Sequence, residues 1–172
     1  MKIILIGMPG CGKTTIGKMA AEDMNLKFID LDEEIVKSSG KSINSIFADS
    51  GEEVFRKLET EALEKALLND DTVISTGGGI VKFSRNIELA KKAGGHIVFI
   101  DRPLDLIIGD IDTSERPLLK EGADRLKNLY SERYELYRSA ADEIIENNAG
   151  LEDITQRICR INLDQKEKRK NI

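Results

Sequence analysis

The most constraining feature of the chain is a glycine-rich stretch near its N-terminus, GMPGCGKTT at residues 7–15, directly behind the apolar run KIILIG. Residues 7–14 follow the spacing G-x-x-x-x-G-K-T, with Gly7, Gly12, Lys13 and Thr14 at the fixed positions. Between a strand and a helix, this spacing lets backbone N–H groups surround an anion, while the lysine reaches phosphate oxygens and the threonine hydroxyl ligates Mg²⁺. The stretch therefore predicts a site for a nucleoside triphosphate with its magnesium ion; the competing interpretation is an ordinary glycine turn.

The rest of the chain alternates between short apolar runs and amphipathic stretches. Strands are predicted at 2–7, 27–32, 72–76, 96–101 and 143–147, and helices at 13–23, 51–69, 125–141 and 151–163. Such alternation is typical of an α/β fold in which helices cover both faces of a parallel sheet. We interpret residues 1–163 as one domain and the polar segment 164–172 as a disordered tail.

Composition limits the partners that the chain can take. Its 172 residues carry a net charge of −5, whereas binding to nucleic acid usually requires a basic surplus. The sequence has no apolar run near the roughly 20 residues that span a bilayer, and its first ten residues are too short and glycine-broken for a signal peptide. Cys11 and Cys159 form no disulfide pattern, so we expect a cytoplasmic protein with reduced thiols. Because the sequence leaves no extra apolar helix face over, a monomer is the default expectation.

Acidic residues and glycines follow two of the predicted strands. Asp30 and Asp32 end the second strand and alternate along it, which predicts that they project to the same side. Beside a phosphate site, one carboxylate can steady the water shell of Mg²⁺ and the other can accept a proton from an attacking hydroxyl. The triplet GGG at 77–79, two residues after Ser75, would let a ligand approach the backbone closely. The alternatives are solvated acids and a flexible turn.

Three arginines are candidates for binding an anionic group, because a guanidinium pairs bidentately with carboxylate or phosphate. Arg56 lies on the long predicted helix with Glu59 three residues later, Arg133 lies on the helix after residue 125, and Arg116 lies in ERPLLKEG, where Pro117 predicts a loop. Each can also be read as a surface arginine. The sequence lacks the N-K-x-D run of GTPases and is short for a motor domain, which favours a small kinase.

Four stretches in fixed order, GMPGCGKTT, FIDLDEEI, GEEVFRKLE followed by GGG, and RPLL, resemble the shikimate kinase family. The resemblance covers about residues 1–160. It implies the P-loop fold of the nucleoside monophosphate kinases, a three-layer αβα arrangement with a five-stranded parallel sheet and a mobile lid at about 110–124. It also implies transfer of the ATP γ-phosphoryl group to the 3-hydroxyl of shikimate, with Mg²⁺, in chorismate and aromatic amino acid biosynthesis.

The resemblance also implies roles for individual residues. The phosphate loop corresponds to Gly7, Gly10, Cys11, Gly12, Lys13, Thr14 and Thr15. Thr14 and Asp30 lie on the metal side, while Asp32 resembles the carboxylate that hydrogen-bonds the reacting hydroxyl. The shikimate site corresponds to Arg56, Gly77, Gly78, Gly79 and Arg133, with Phe47 and Phe55 around the ring. Arg116 resembles the lid arginine that reaches the transferring phosphate, which makes it catalytic together with Lys13 and Asp32.

One segment departs from the family pattern. The family usually has an arginine against the adenine ring several residues before the lid arginine, and Gly109 and Asp110 stand there in this chain. We therefore predict weaker or less selective binding of the base; Arg102 lies too early in the chain to be assigned that role from sequence. The alternatives to a shikimate kinase are a gluconate or nucleotide kinase of the same fold, or a nucleotide-binding regulatory protein without kinase activity.

Overall fold

The computed structural model describes residues 1–110, 116–148 and 150–170. Its strands are β1 (Lys2–Ile6), β2 (Lys27–Asp30), β3 (Thr72–Ser75), β4 (Gly95–Asp101) and β5 (Glu143–Glu146). Its helices are α1 (Lys13–Asp23), α2 (Leu31–Ser39), α3 (Ile43–Leu67), α4 (Ser84–Lys92), α5 (Leu104–Gly109), α6 (Arg116–Ala140) and α7 (Leu151–Lys170), with a 3-10 turn at Ile80–Lys82.

The strands form one parallel sheet in the order β2-β3-β1-β4-β5. The central strand β1 is buried on both faces, which explains why Ile3, Ile4, Leu5 and Ile6 form an unbroken apolar run. The predicted three-layer αβα arrangement with a five-stranded parallel sheet is confirmed. Because the strands are parallel, the loops after β1, β2 and β3 all emerge at the same edge of the sheet.

The second strand is shorter than predicted, because a helix begins inside the DLD motif. The carboxylate of Asp30 caps α2 by accepting hydrogen bonds from the backbone N–H groups of Asp32 (3.0 Å) and Glu33 (3.3 Å). The prediction that Asp30 and Asp32 alternate on one strand is therefore wrong, since Asp32 lies in the first turn of α2. Asp30 followed by Glu33 has the spacing of a capping box, a signal for this helix start that was available in the sequence.

Several helices differ from the sequence-based expectation. Helix α3 begins at Ile43 rather than near residue 51, and Gly51, at φ 79°, kinks it where the helix was predicted to start. Helices α4 and α5 were not predicted. Helix α6 begins at Arg116, where a loop was predicted, because proline in the first turn of a helix gives up no intrahelical hydrogen bond.

The polar C-terminal segment also differs from its predicted form. Helix α7 continues to Lys170, through most of the stretch 164–172 that the composition predicts to be disordered. Lysine, glutamate and glutamine are good helix formers, and neither glycine nor proline interrupts this stretch. Within the described ranges, none of the helices combines the length and the apolar character of a membrane span.

Candidate active site

The loop between β1 and α1 folds as an anion-binding cradle. Gly10 and Gly12 have positive φ angles of 78° and 96°, which glycine adopts without steric cost. Gly12 caps α1, so the first backbone N–H groups of that helix and its positive dipole end face the cavity beyond the loop. The buried ammonium of Lys13 donates hydrogen bonds to the carbonyls of Gly7 and Met8, both at 2.9 Å. The lysine is thereby held within reach of a phosphate that binds in the cradle.

A cavity of about 610 Å³ opens in front of this loop. Its walls include Gly10, Gly12, Lys13, Thr14, Thr15, Asp30, Asp32, Gly77, Gly78, Arg102 and Leu151. The structure thus gathers most of the predicted phosphate loop, both acidic residues and two glycines of the triplet around one space, whereas Gly7 is not among the lining residues. Cys11 does not line it: its thiol is fully buried and accepts from Lys13 at 3.6 Å, so the residue contributes packing and backbone to the loop.

Hard oxygen atoms cluster on one side of the cradle. The Thr14 hydroxyl donates to the Asp30 carboxylate at 2.7 Å and lies 3.4 Å from the hydroxyl of Ser75. Two hydroxyls and a carboxylate match Mg²⁺, which takes oxygen ligands and completes its shell with water and phosphate oxygens. Among the described residues, no group of three His, Cys, Asp or Glu side chains could form an all-protein metal cage. The donors therefore fit a magnesium ion that arrives with a nucleotide.

A second cavity, of about 410 Å³, lies on the other side of the glycine triplet. Both cavities are lined by Pro9, Asp32, Gly77 and Gly78, so the two spaces meet at these four residues. Four cationic side chains line the second cavity: Arg56, Lys82, Arg125 and Arg133. A space with several cations, next to a phosphate cradle, is suited to a small anionic molecule that receives or donates a phosphoryl group.

Asp32 lies where the two cavities join. Burial, followed by the negative charge of Asp30, raises its pKa above the ordinary aspartate value, while the positive charges of Lys13 and Arg56 oppose that shift. Its Oδ1 is buried without a hydrogen-bond partner among the described residues. A carboxylate oxygen in that position can accept a hydrogen bond from a ligand hydroxyl, as a general base or orienting group must.

Arg56 is fixed by two acids of its own helix. Its buried guanidinium donates to Glu59 at 2.8 Å, as the i, i+3 spacing predicts, and to Glu52 at 3.2 Å and 3.3 Å. Glu59 is fully buried, and that burial raises its pKa although Arg56 lowers it. A methyl group added at Gly79 would overlap the Arg56 guanidinium, so glycine at 79 is what allows the arginine to lie beside the triplet.

Helix α6 supplies the other arginine and anchors the glycine triplet. Arg133 is 7% exposed and donates to the Gly78 carbonyl at 3.1 Å, and the same carbonyl accepts a hydrogen bond from the Tyr137 hydroxyl. The Arg133 Nε is buried and has no hydrogen-bond partner among the described residues, with the Glu132 carboxylate 3.9 Å away. Phe47 and Phe55, with ring centroids 4.6 Å apart, form an apolar wall of the same cavity.

Sequence reasoning missed part of this cavity. Lys82 bridges two helices by pairing with Glu52 at 2.9 Å and with Glu132 at 3.3 Å. The pairing of Glu52 with Arg56 was predictable from its i, i+4 spacing, but Lys82 is brought in by the 3-10 turn after the triplet, which leaves no periodic signal. The side chain of Arg116 lies outside the described residues; its backbone begins α6.

The chain resembles proteins of one family throughout most of its length. The family model for shikimate kinase matches residues 9–162. A shikimate kinase from Clostridium botulinum is 45% identical over 160 residues, covering 93% of this chain and 96% of that protein. The one from Clostridium beijerinckii is 45% identical over 166 residues, covering 96% and 97%. The solved structure of shikimate kinase from Acinetobacter baumannii in complex with shikimate is 35% identical with a TM-score of 0.86, covering 96% and 94%.

Proposed function

Because the chain belongs to the shikimate kinase family and is an ATP-dependent kinase, we propose that it transfers the γ-phosphoryl group of ATP to the 3-hydroxyl of shikimate. The observation that carries this proposal is the junction of a phosphate cradle and an arginine-lined cavity at Asp32, Gly77 and Gly78. The products are shikimate 3-phosphate and ADP, and the reaction belongs to chorismate and aromatic amino acid biosynthesis.

The nucleotide's phosphates are bound by the loop from Gly7 to Thr15 and by the ammonium of Lys13. The Thr14 hydroxyl and the Asp30 carboxylate would hold Mg²⁺, which would supply positive charge to the phosphates and lower the barrier to their reaction. The 2.7 Å contact between these two side chains supports the assignment, because it brings a neutral and an anionic oxygen donor to the same point. The Asp30 side chain is held in this position because it also caps α2.

Shikimate is a small carboxylate with three hydroxyls, and the second cavity offers groups for both. Arg56 and Arg133 bind the carboxylate, since both are buried and a guanidinium matches a carboxylate in two hydrogen bonds. Gly77, Gly78 and Gly79 lie against the ring, where a side chain would obstruct it. Phe47 and Phe55 cover an apolar edge of the ring.

In the chemical step, the oxygen of the 3-hydroxyl bonds to the γ-phosphorus while the bond to the β-phosphate oxygen breaks. The hydroxyl proton passes to the Asp32 carboxylate, and ADP leaves with the electron pair of the broken bond. Lys13 stabilises the charge that develops on the phosphoryl oxygens. We assign Arg116 the same duty from the other side, on the strength of the RPLL motif. The lid expected at about 110–124, of which 111–115 lie outside the described residues, would exclude water on closing.

The proposal is tested by measuring ADP release from Mg·ATP with shikimate, with gluconate, with nucleoside monophosphates and without an acceptor. We expect release that depends on shikimate, with Asp32→Asn reducing kcat far more than it changes the KM for ATP. Release that depends on gluconate or a nucleoside monophosphate would assign the chain to another small-molecule kinase. Equal slow release under every condition would favour a nucleotide-binding regulatory protein.

We further propose that residues 1–163 act as one catalytic domain, that the protein works as a monomer in the cytoplasm, and that it takes neither nucleic acid nor membrane as a partner. The net charge of −5 supports the last of these points, because it repels phosphate backbones and anionic lipids alike. Light scattering at working concentration tests the oligomeric state.

A further inference from the structure

The 3-10 turn after the glycine triplet brings a lysine to the acceptor cavity that the proposed reaction does not use. Lys82 lines this cavity, and its side chain is 29% exposed. Its ammonium lies 2.9 Å from the carboxylate of Glu52 on α3 and 3.3 Å from the carboxylate of Glu132 on α6. One cation therefore joins two carboxylates, and both acids line the same cavity.

Each of these two acids also lies beside one of the arginines that we propose for the acceptor carboxylate. The Glu52 oxygen that Lys82 contacts also accepts hydrogen bonds from Nη2 and Nε of Arg56, at 3.2 Å and 3.3 Å. The Glu132 oxygen that Lys82 contacts lies 3.9 Å from the Nε of Arg133, which is too far for a hydrogen bond. Both acids are thus placed to occupy N–H groups that an acceptor carboxylate needs.

The two acids compete with the acceptor because all three molecules or side chains present a carboxylate to the same guanidinium groups. The hydrogen bond from Lys82 lowers the pKa of Glu52, so this acid is ionised at neutral pH. Without Lys82, Glu52 would keep Arg56 as a cation within hydrogen-bond distance. Glu132 would keep the Arg133 guanidinium as its cation within 4 Å among the described residues, and nothing would hold it back from that group.

We propose that Lys82 is a positioning residue of the acceptor site. It draws the carboxylates of Glu52 and Glu132 toward itself, so that Arg56 and Arg133 keep N–H groups available for the carboxylate of the acceptor. Lys82 acts through these two acids and does not touch the acceptor itself. The proposal deepens the proposed function and rests on it, since it requires an acceptor with a carboxylate in the second cavity.

Steady-state kinetics with shikimate and Mg·ATP test the proposal. Lys82→Met should raise the KM for shikimate roughly three- to tenfold, with kcat and the KM for ATP nearly unchanged. Lys82→Arg keeps a cation that can pair with both acids, so its KM for shikimate should stay within about twofold of the wild type. Adding Glu132→Gln to Lys82→Met removes one of the two competing carboxylates, and it should recover at least about half of the loss on a logarithmic scale.

Two control variants separate this competition from a general effect of charge. Adding Glu135→Gln to Lys82→Met restores the same net charge but neutralises an exposed acid of α6 that pairs with Arg138, so the KM for shikimate should stay raised. Lys57→Met removes an exposed lysine of α3 that pairs with Glu53, and it should change neither KM.

An unchanged KM for shikimate in Lys82→Met would overturn the proposal. So would a raised KM that Glu132→Gln does not lower, because it would mean that Lys82 contacts the acceptor directly or only ties α3 to α6. A wild type that does not phosphorylate shikimate would instead refute the proposed function. Thermal unfolding identifies any variant that fails to fold, and Lys82→Gln, which keeps a polar side chain, then replaces Lys82→Met in the same comparison.

Discussion

Glu59 and Arg56 form an ion pair at 2.8 Å in which both side chains are buried, one turn apart on α3. The pair holds the guanidinium beside the glycine triplet. One oxygen of Glu59, Oε1, has no hydrogen-bond partner among the described residues. Glu59 thus positions Arg56 for the proposed shikimate site, but its own buried carboxylate is poorly solvated, which costs folding free energy.

This arrangement makes stability depend on pH. Burial raises the pKa of Glu59 in the folded state above the ordinary 4.5, so the folded protein keeps the proton at pH values where the unfolded chain has released it. Stability from this group is therefore full below pH 4.5 and is lost as the pH rises through the raised pKa. We expect the unfolding free energy of the wild type minus that of Glu59→Gln to decrease as the pH rises from 4.5 through the raised pKa of Glu59.

Urea unfolding of both proteins at several pH values measures that difference. Glu53→Gln removes an exposed carboxylate from the same helix and serves as the control. A difference that grows as the pH rises would contradict the assignment.

Arg133 should contribute to binding of the acceptor and little to binding of ATP. Its buried Nε makes no hydrogen bond within the described structure, the Glu132 carboxylate lying 3.9 Å away, and a ligand carboxylate can accept one from it. Arg133→Ala is expected to raise the KM for shikimate by roughly 10- to 100-fold, the loss of one or two charged hydrogen bonds, with the KM for ATP nearly unchanged. Arg138→Ala, exposed on the same helix, is the control in steady-state kinetics. A larger effect on the KM for ATP than on the KM for shikimate would contradict the prediction, because it would show that Arg133 serves the nucleotide site.

Gly79→Ala should weaken acceptor binding by displacing Arg56, in addition to narrowing the space against the acceptor ring. The added methyl group overlaps the Arg56 guanidinium, and Glu59 and Glu52 prevent that group from simply moving away. We expect a higher KM for shikimate, on the order of tenfold, with the KM for ATP unchanged. Gly109→Ala, where an added Cβ meets no atom of the described residues within 4 Å, is the matched control. Normal kinetics in Gly79→Ala would show that Arg56 has more freedom than its two acids allow.

Thr14 should set the requirement for magnesium. Thr14→Val keeps the shape of the side chain but removes the hydroxyl that contacts Asp30 at 2.7 Å. The concentration of Mg²⁺ for half-maximal activity is expected to rise at least about tenfold, and Thr14→Ser, which restores a hydroxyl, should recover most of it. The measurement is a magnesium titration at fixed ATP. The same magnesium dependence in Thr14→Val and in the wild type would show that the Thr14 hydroxyl is not a metal ligand.

Arg116 should affect turnover more than affinity. If it reaches the phosphoryl group only on closure, Arg116→Ala is expected to lower kcat on the order of 10³-fold while the KM values change several-fold at most. Lys127→Ala, an exposed residue further along α6, is the control. Single-turnover kinetics locate the loss in the chemical step, and a loss confined to KM would assign Arg116 to binding.

The sequence predicts the sheet well because buried parallel strands leave unbroken apolar runs, as in Ile3 to Ile6. It predicts the phosphate loop because that motif has a fixed spacing. It fails at Asp32, where the buried residues Ile29 and Leu31, on either side of Asp30, pass from β2 into α2, and a buried helix start cannot be told from a strand by periodicity. Only the Asp30–Glu33 capping pattern distinguishes the two.

The cation cluster of the second cavity was predictable in part. Arg56 and Arg133 were named from motifs, and the Glu59 contact followed from helical spacing. Lys82, and Arg102 in the first cavity, could not be assigned from sequence, because their positions depend on how α3, α5 and the 3-10 turn pack, and the spacing of residues along the chain does not reveal that packing. Arg102 reaches the phosphate loop across 92 residues of sequence through a single hydrogen bond.

The strand order has a consequence for how the protein is made. The strand that leads into the phosphate loop, β1, pairs with β3 and β4. Lys2 pairs with Thr72 on one side and with Gly95 on the other, and both partners are synthesised much later. The nucleotide-binding loop therefore leaves the ribosome long before β3 and β4, the two strands that pair with β1, have been synthesised. Every pairing of this sheet is non-local, which slows folding and prolongs the life of exposed apolar edges. Nascent chains stalled before Asp101 should consequently be clients of chaperones, whereas chains released after it can close the centre of the sheet.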